Sequence, residues 1–239
     1  MIEFENTAII ITAKMADQPL LGRPMVDIAG KPLVLRAVER AEEATLGKVF
    51  VAAADNVIAE AAKAGGADVL MTPPQKRADS EMADAILSLR DRAQNFHQIL
   101  IIPCHLAMAD SLPLRLCLSG LMNKGVDVVT LASPVLAALT GQVLVEAPLE
   151  GDRDVAFLRG LKRASESDVG KPALLHIPIY AWKRSALAIC ASQKPDSSGM
   201  ELTRALAVNQ KCAVIKIDIA PLSVDTPQDL EALRRHWKA

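Results

Sequence analysis

Short β-branched apolar runs alternate along the chain with longer segments in which apolar residues recur every three or four positions. The runs at about 7–13, 47–53, 67–72, 98–103 and 126–132 are almost continuously apolar, the pattern of strands covered on both faces. Helical spacing between them predicts helices at about 32–44, 55–64, 79–94 and 113–123. The first carries Val34, Leu35, Val38 and Ala41 on one stripe, with Pro32 near its first turn. Strands alternating with helices in this way predict repeated β-α-β units and an α/β fold: a mostly parallel central sheet between two helical layers, α/β/α.

The second half is less regular. "GQVLVEA", "ALLHIPIYAW" and "AVIKIDIA" read as strands, with helices near 152–165, 183–192 and 200–209 and a last one from about 227. The stretch "SVDTPQDLEALRRHW" is a well-formed helix entry: Thr226 can cap the first amides, Pro227 suits the first turn, and Asp229 and Glu231 favour the positive end of the helix dipole. Asp225 then lies just outside a helix N-terminus. No repeat, low-complexity tract or linker divides the 239 residues, so a single domain spanning 1–239 is expected.

Composition narrows the function classes. A net charge of −1 argues against a protein that coats nucleic acid, although a local basic site stays open. The four cysteines, Cys104, Cys117, Cys190 and Cys212, are far apart and form no C-x-x-C, so buried thiols in a reducing compartment are expected. No apolar run approaches the roughly 20 residues of a membrane span, and "MIEFENTAII" lacks the basic start of a signal peptide. A soluble cytoplasmic protein is the expectation.

The loop after the first strand draws attention. "TAKMADQPLLGRPMVDIAGKPLV" follows "AIIIT" with a long, basic, Gly/Pro-punctuated stretch where a tight turn would suffice. Ligands of open α/β sheets sit at the carboxyl ends of the strands, so a basic loop there points to an anion, with Lys14 and Arg23 as its contacts. A solvated surface loop is the plainer alternative.

That opening, together with "VFVAAADNVIAEAAKAGGADVLMT" and "SVDTPQDLEAL", resembles the 3-deoxy-manno-octulosonate (Kdo) cytidylyltransferases, or CMP-Kdo synthetases, which stand beside the sialic-acid cytidylyltransferases. The resemblance implies a Rossmann-like nucleotidyltransferase fold, with a nucleotide-binding part at about 1–125 and a sugar-binding and dimerisation part at about 126–215. It implies transfer of CMP from CTP to an acidic sugar, Kdo, with release of pyrophosphate, for lipopolysaccharide precursor synthesis, with magnesium or manganese and in a homodimer. The matching positions assign catalytic roles to Lys14, Arg23 and Asp225, and nucleotide contacts to Ala13, Lys14, Gly22, Arg23 and Ser80. Arg159, His176, Tyr180 and Glu201 fall at sugar-binding places, and Asp225 and His105 at metal-binding ones. Lys31 and Pro32 match the family's G-K-P, and "PPQKR" at 73–77 reads either as a lid over the nucleotide or as a surface turn.

The departures are equally specific. Lys14 and Arg23 exchange the family's Arg and Lys, and a planar fork is not equivalent to a point charge. Where the family reads Q-G-D-E-P, this chain has Pro103, Cys104, His105 and Leu106, so imidazole stands where a metal-binding carboxylate is expected, a poor exchange for magnesium. "ADSEM" replaces the base-reading S-G-T-E-R, and "SSGMELTRALA" keeps only Glu201 of an acidic helix start. His105 is open to three readings: a satisfied histidine, a substitute ligand, or a relic of a lost site. Asp110 is a candidate replacement carboxylate, and His176 is either core-packed or sugar-facing. A silent nucleotide-binding paralogue and a transferase for another nucleotide or sugar are the two alternatives to CMP-Kdo synthesis.

Overall fold

Every residue of the first strand, β1 (Thr7–Ala13), is buried, which requires cover on both faces. Its side chains divide by parity, as the two-residue pleat dictates. Ile9, Ile11 and Ala13 join one apolar layer, Ala8 and Ile10 the other. The computed structural model describes residues 6–16, 20–72, 96–107, 109–149, 154–191 and 201–237.

After β1 come the two-residue strands β2 (Asp27–Ile28) and β3 (Lys31–Pro32), then helix α1 (Leu33–Glu43), β4 (Lys48–Ala53), α2 (Asn56–Ala64) and β5 (Asp68–Met71). Next follow β6 (Gln98–Pro103), α3 (Ser111–Gly120), β7 (Val128–Val135), β8 (Val143–Glu146), β9 (Val155–Phe157) and β10 (Gly160–Arg163). The chain finishes with β11 (Ala173–Lys183), α4 (Arg184–Ala191), α5 (Glu201–Ala207), β12 (Cys212–Lys216) and α6 (Pro227–Trp237). The main sheet runs β5-β4-β1-β6-β11-β7-β12-β9, with β8 pairing β10 and β11 beside it. β5, β4, β1 and β6 are mutually parallel, and β12 is parallel to β7. β11 runs against both β6 and β7, and β9 runs against β12.

The α/β expectation is met, with two helical layers as predicted. α1, α2 and α3 pack on the face of Ile9 and Ile11, joined by Val224 and Leu233; α4 and α5 pack on the other, around the fully buried Trp182. The strand at 98–103 and the final helix from 227 stand where the pattern placed them. Helix 79–94 lies outside the described residues.

Two expectations need correction. The helix expected near 152–165 is, over its described part, the strand pair β9 and β10. Val155, Leu158 and Leu161 mimic helical spacing, but Val155 pairs with Ile215 and Phe157 with Ala213 on the sheet edge, and Leu161 with Val145. Cross-strand pairing outweighs local propensity here. Likewise only "AVIK" of "AVIKIDIA" is strand, within β12 (Cys212–Lys216); the chain then leaves the ladder after the Ile217 amide bonds the Ala132 carbonyl at 2.8 Å.

β11 also breaks register against β7 between Ile177 and Tyr180. Pro178 lies in this gap and has no N–H to give the ladder, so a bulge accommodates it.

Candidate active site

The chain builds β1, β4 and β5 outward on one side and then crosses to lay β6 on the other side of β1. This reversal puts a crevice at the carboxyl ends of β1 and β6, the place where α/β sheets bind ligands. The basic loop leaves β1 at this point, and the turn Cys104–Leu106 leaves β6.

The loop is held at its base. The Met15 amide donates to Asp55 Oδ2 at 2.8 Å, and the Met15 carbonyl accepts the Gly22 amide at 2.8 Å. Asp55 stands at the N-cap of α2 with extended backbone angles, yet its carboxylate caps no helix amide and serves the β1 loop instead. Sequence reasoning missed it, because an Asp before a helix reads as a cap. Gly22 takes φ +72°, a left-handed angle that side chains disfavour, and turns the chain into the short 3-10 helix Arg23–Met25. Ala29 and Gly30, both at positive φ, form the tight turn between β2 and β3, a geometry suited to a two-residue hairpin.

Arg23 is thereby turned inward. Its side chain is 2% exposed, and Nη1 donates to the Val224 carbonyl at 3.0 Å and to Asp225 Oδ1 at 2.6 Å. The other Asp225 oxygen, Oδ2, accepts the Ser223 hydroxyl in a short bond, and the carboxylate is 43% exposed. The Val224 amide donates to the His105 carbonyl at 3.0 Å, so the turn after β6 lies against the same segment. Thr226 caps α6 as expected: its hydroxyl accepts the Asp229 amide at 3.1 Å, and Asp229 Oδ2 accepts the Thr226 amide at 2.8 Å and the Asp225 amide at 3.2 Å.

Of the nominated nucleotide set, Ala13 closes β1 as a buried residue, Lys14 is half-buried at the start of the loop, and Gly22 supplies the turn. Arg23 reaches Asp225 and lies inside the protein, not at the loop surface. Ser80 and "PPQKR" lie outside the described residues. Lys31 extends along α1 and pairs with Glu39.

Of the nominated sugar set, His176 and Tyr180 lie on β11, which runs antiparallel to β6 with Tyr180 opposite Ile101. His176 and Tyr180 are both buried, with rings 5.6 Å apart, and Tyr180 belongs to the apolar layer of Trp182. The segments bearing Arg23 and Asp225 pack, through Ile28 and Val224, on the opposite layer. His176 Nε2 lies 3.0 Å from the Thr130 hydroxyl, which also sits 3.2 and 3.1 Å from the Ile177 and Ile179 carbonyls. A single hydroxyl hydrogen serves those carbonyls only if Nε2–H donates to Thr130, which favours that neutral tautomer. Burial lowers the His176 pKa to about 4. Arg159 is exposed in the turn between β9 and β10, where its amide donates to the Glu146 carbonyl at 2.8 Å. Glu201 opens α5.

The residues present do not make a resident magnesium site. Among the described residues no three His, Cys, Asp or Glu side chains gather as metal donors. Asp225 has one oxygen in an ion pair with a buried guanidinium, and its expected carboxylate partner is His105. Asp110 borders a different cavity of about 720 Å³, between α1, α3 and residues 216–222, whose walls include neither Arg23 nor Asp225. All four thiols are buried and none is in a disulfide, with Cys190 pushed up to about 11 and Cys212 to about 12 by burial. Raised thiol pKa values leave Cys190 and Cys212 poor nucleophiles.

Comparison with known proteins agrees with this architecture. The cytidylyltransferase family model matches residues 8–102. The 3-deoxy-manno-octulosonate cytidylyltransferase of Afipia carboxidovorans is 32% identical over 96% of each chain, and that of a Bradyrhizobium species is 33% identical over 95% of each. The solved structure of a CMP:2-keto-3-deoxy-manno-octonic acid synthetase complexed with CTP superposes with a TM-score of 0.80 at 22% identity, covering 98% of this chain and 99% of that one. A 4-diphosphocytidyl-2C-methyl-D-erythritol synthase from Anaerococcus prevotii shares the fold at a TM-score of 0.65 and 10% identity, over 99% and 100% of the two chains. The basic loop after β1 and the V-D-T-P entry to α6 meet at one crevice, and full-length relatives more than 30% identical carry the same name: the chain belongs to the 3-deoxy-manno-octulosonate cytidylyltransferase family.

Proposed function

We propose that this chain transfers the cytidylyl group of CTP to the anomeric hydroxyl of Kdo, supplying an activated sugar for lipopolysaccharide. The hydroxyl oxygen bonds to the α-phosphorus as its proton passes to water, the bond from the α-phosphorus to the bridging oxygen of the β-phosphate breaks, and pyrophosphate leaves. Such a transfer is governed by positioning and charge compensation. Lys14 takes up triphosphate charge at the mouth of the loop. Arg23 acts through Asp225, fixing the carboxylate beside the loop, while Asp55 and Gly22 hold the loop in register. A divalent ion accompanying the nucleotide would supply further charge compensation to the triphosphate, without a resident site on this chain.

The observation that carries this reading is the Arg23–Asp225 pair, which joins the two motifs at the β1/β6 crevice. In the same reading the nucleotide occupies the part at about 1–125 and the sugar the part at about 126–215, in a cytoplasmic homodimer. Leu136, Leu139 and Val169 support an association face there: they are 90%, 61% and 43% exposed, around the bridge from Ala138 to Val169.

The test is pyrophosphate release from CTP plus Kdo, with magnesium and separately with manganese, comparing the natural chain with Asp225→Ala. Release that the substitution abolishes supports the transfer; no release with either metal removes it. A second reading, a nucleotide-binding paralogue without turnover, is favoured by imidazole at His105 where a carboxylate is expected. It requires CTP to bind without pyrophosphate release, and turnover excludes it.

A further inference from the structure

We propose that Arg23 occupies, as a built-in cation, the place of a resident divalent ion on Asp225, so that the chain alone has no magnesium site and admits a divalent ion only with an incoming nucleotide. The guanidinium is permanently charged and planar, and it is 2% exposed, so it cannot retreat into solvent. Nη1 is already shared between the Val224 carbonyl and Asp225 Oδ1. The remaining carboxylate oxygen is engaged by Ser223, which leaves Asp225 fixed from both sides. A divalent ion on this carboxylate would sit next to a buried like charge, at low local dielectric, where repulsion is strongest.

The neighbouring segment does not offset that repulsion. The turn bonded to Val224 carries His105, whose imidazole, unlike a carboxylate, supplies no negative charge and suits magnesium poorly. Asp110 is held on another cavity. The two replacements therefore act together: one expected carboxylate is absent, and the Arg23 guanidinium, through Nη1, pairs with the other.

The proposal is independent of the transfer reading and is tested with the metal alone. The full, nucleotide-free chain is titrated with manganese(II), read by water-proton relaxation or by electron paramagnetic resonance. The natural chain is expected to show no Asp225-dependent site tighter than about 1 mM. Arg23→Met, confirmed as folded by its melting profile, is expected to gain manganese binding at least about tenfold tighter, lost again in Arg23→Met/Asp225→Asn. Manganese binding by the natural chain that Asp225→Asn removes would overturn the proposal, and this comparison holds even if Arg23→Met fails to fold. A folded Arg23→Met that binds no more tightly than the natural chain would overturn it as well.

Discussion

Arg23 and Asp225 stand 202 positions apart in the chain and meet in a 2.6 Å ion pair that fastens the loop after β1 to the entry of α6. The pair is asymmetric, with a buried guanidinium and a half-exposed carboxylate, and its loss is felt differently from the two sides. Asp225→Ala strands the buried charge, a penalty of several kcal/mol for a fully buried pair. Exposure of Asp225 lets water compensate in part, so a destabilisation of about 1–3 kcal/mol is expected. Urea unfolding of Asp225→Ala against Asp225→Asn measures it; equal stability of Asp225→Ala and the natural chain would show the pair to be energetically idle.

His176 makes stability depend on acidity. Its pKa falls from 6.5 to about 4 on burial, so between those values the unfolded chain binds a proton that the folded chain refuses. Stability is therefore present above pH 6.5 and lost as pH falls toward 4, by about 3 kcal/mol in all. His176→Gln, which can still donate to Thr130, should flatten this part of the profile when unfolding free energy is followed from pH 7 to pH 4. An unchanged slope would assign the acid sensitivity to other groups.

Asp55 is expected to matter through the loop. Removing its carboxylate leaves the Met15 amide without its 2.8 Å acceptor. Asp55→Ala should lower kcat/KM for CTP by about tenfold, the scale of one lost hydrogen bond, while Asp55→Asn, which keeps a carbonyl acceptor, should retain most activity. Equal losses in the two variants would point to the charge of Asp55 as the cause.

The α6 cap offers a purely local prediction. Thr226 and Asp229 bond one another's backbone amides at 3.1 and 2.8 Å. Thr226→Ala should cost about 1 kcal/mol, visible as a lowered melting temperature, and Thr226→Ser should restore most of it. Because Asp229 Oδ2 also accepts the Asp225 amide, Asp229→Ala should in addition reduce turnover.

Much of this architecture is legible along the chain because its causes are local. Continuous apolar runs mark strands covered on both faces, as at Gln98–Pro103, and the Thr226–Asp229 cap is written within four consecutive residues. The meeting of the first loop with the V-D-T-P segment was legible only as a resemblance between motifs. Its form, a buried Arg23 on Asp225 where a metal was expected, was not. Nor were β9 and β10 legible, since Val155, Leu158 and Leu161 fit a helix until β12 and β8 offer their edges. Asp55 likewise reads as a helix cap until the fold brings the Met15 amide to it. Periodicity and capping depend on neighbours a few residues away, so sequence determines them; an ion pair, an edge strand or a diverted carboxylate depends on which distant segment arrives, and only the tertiary structure decides that.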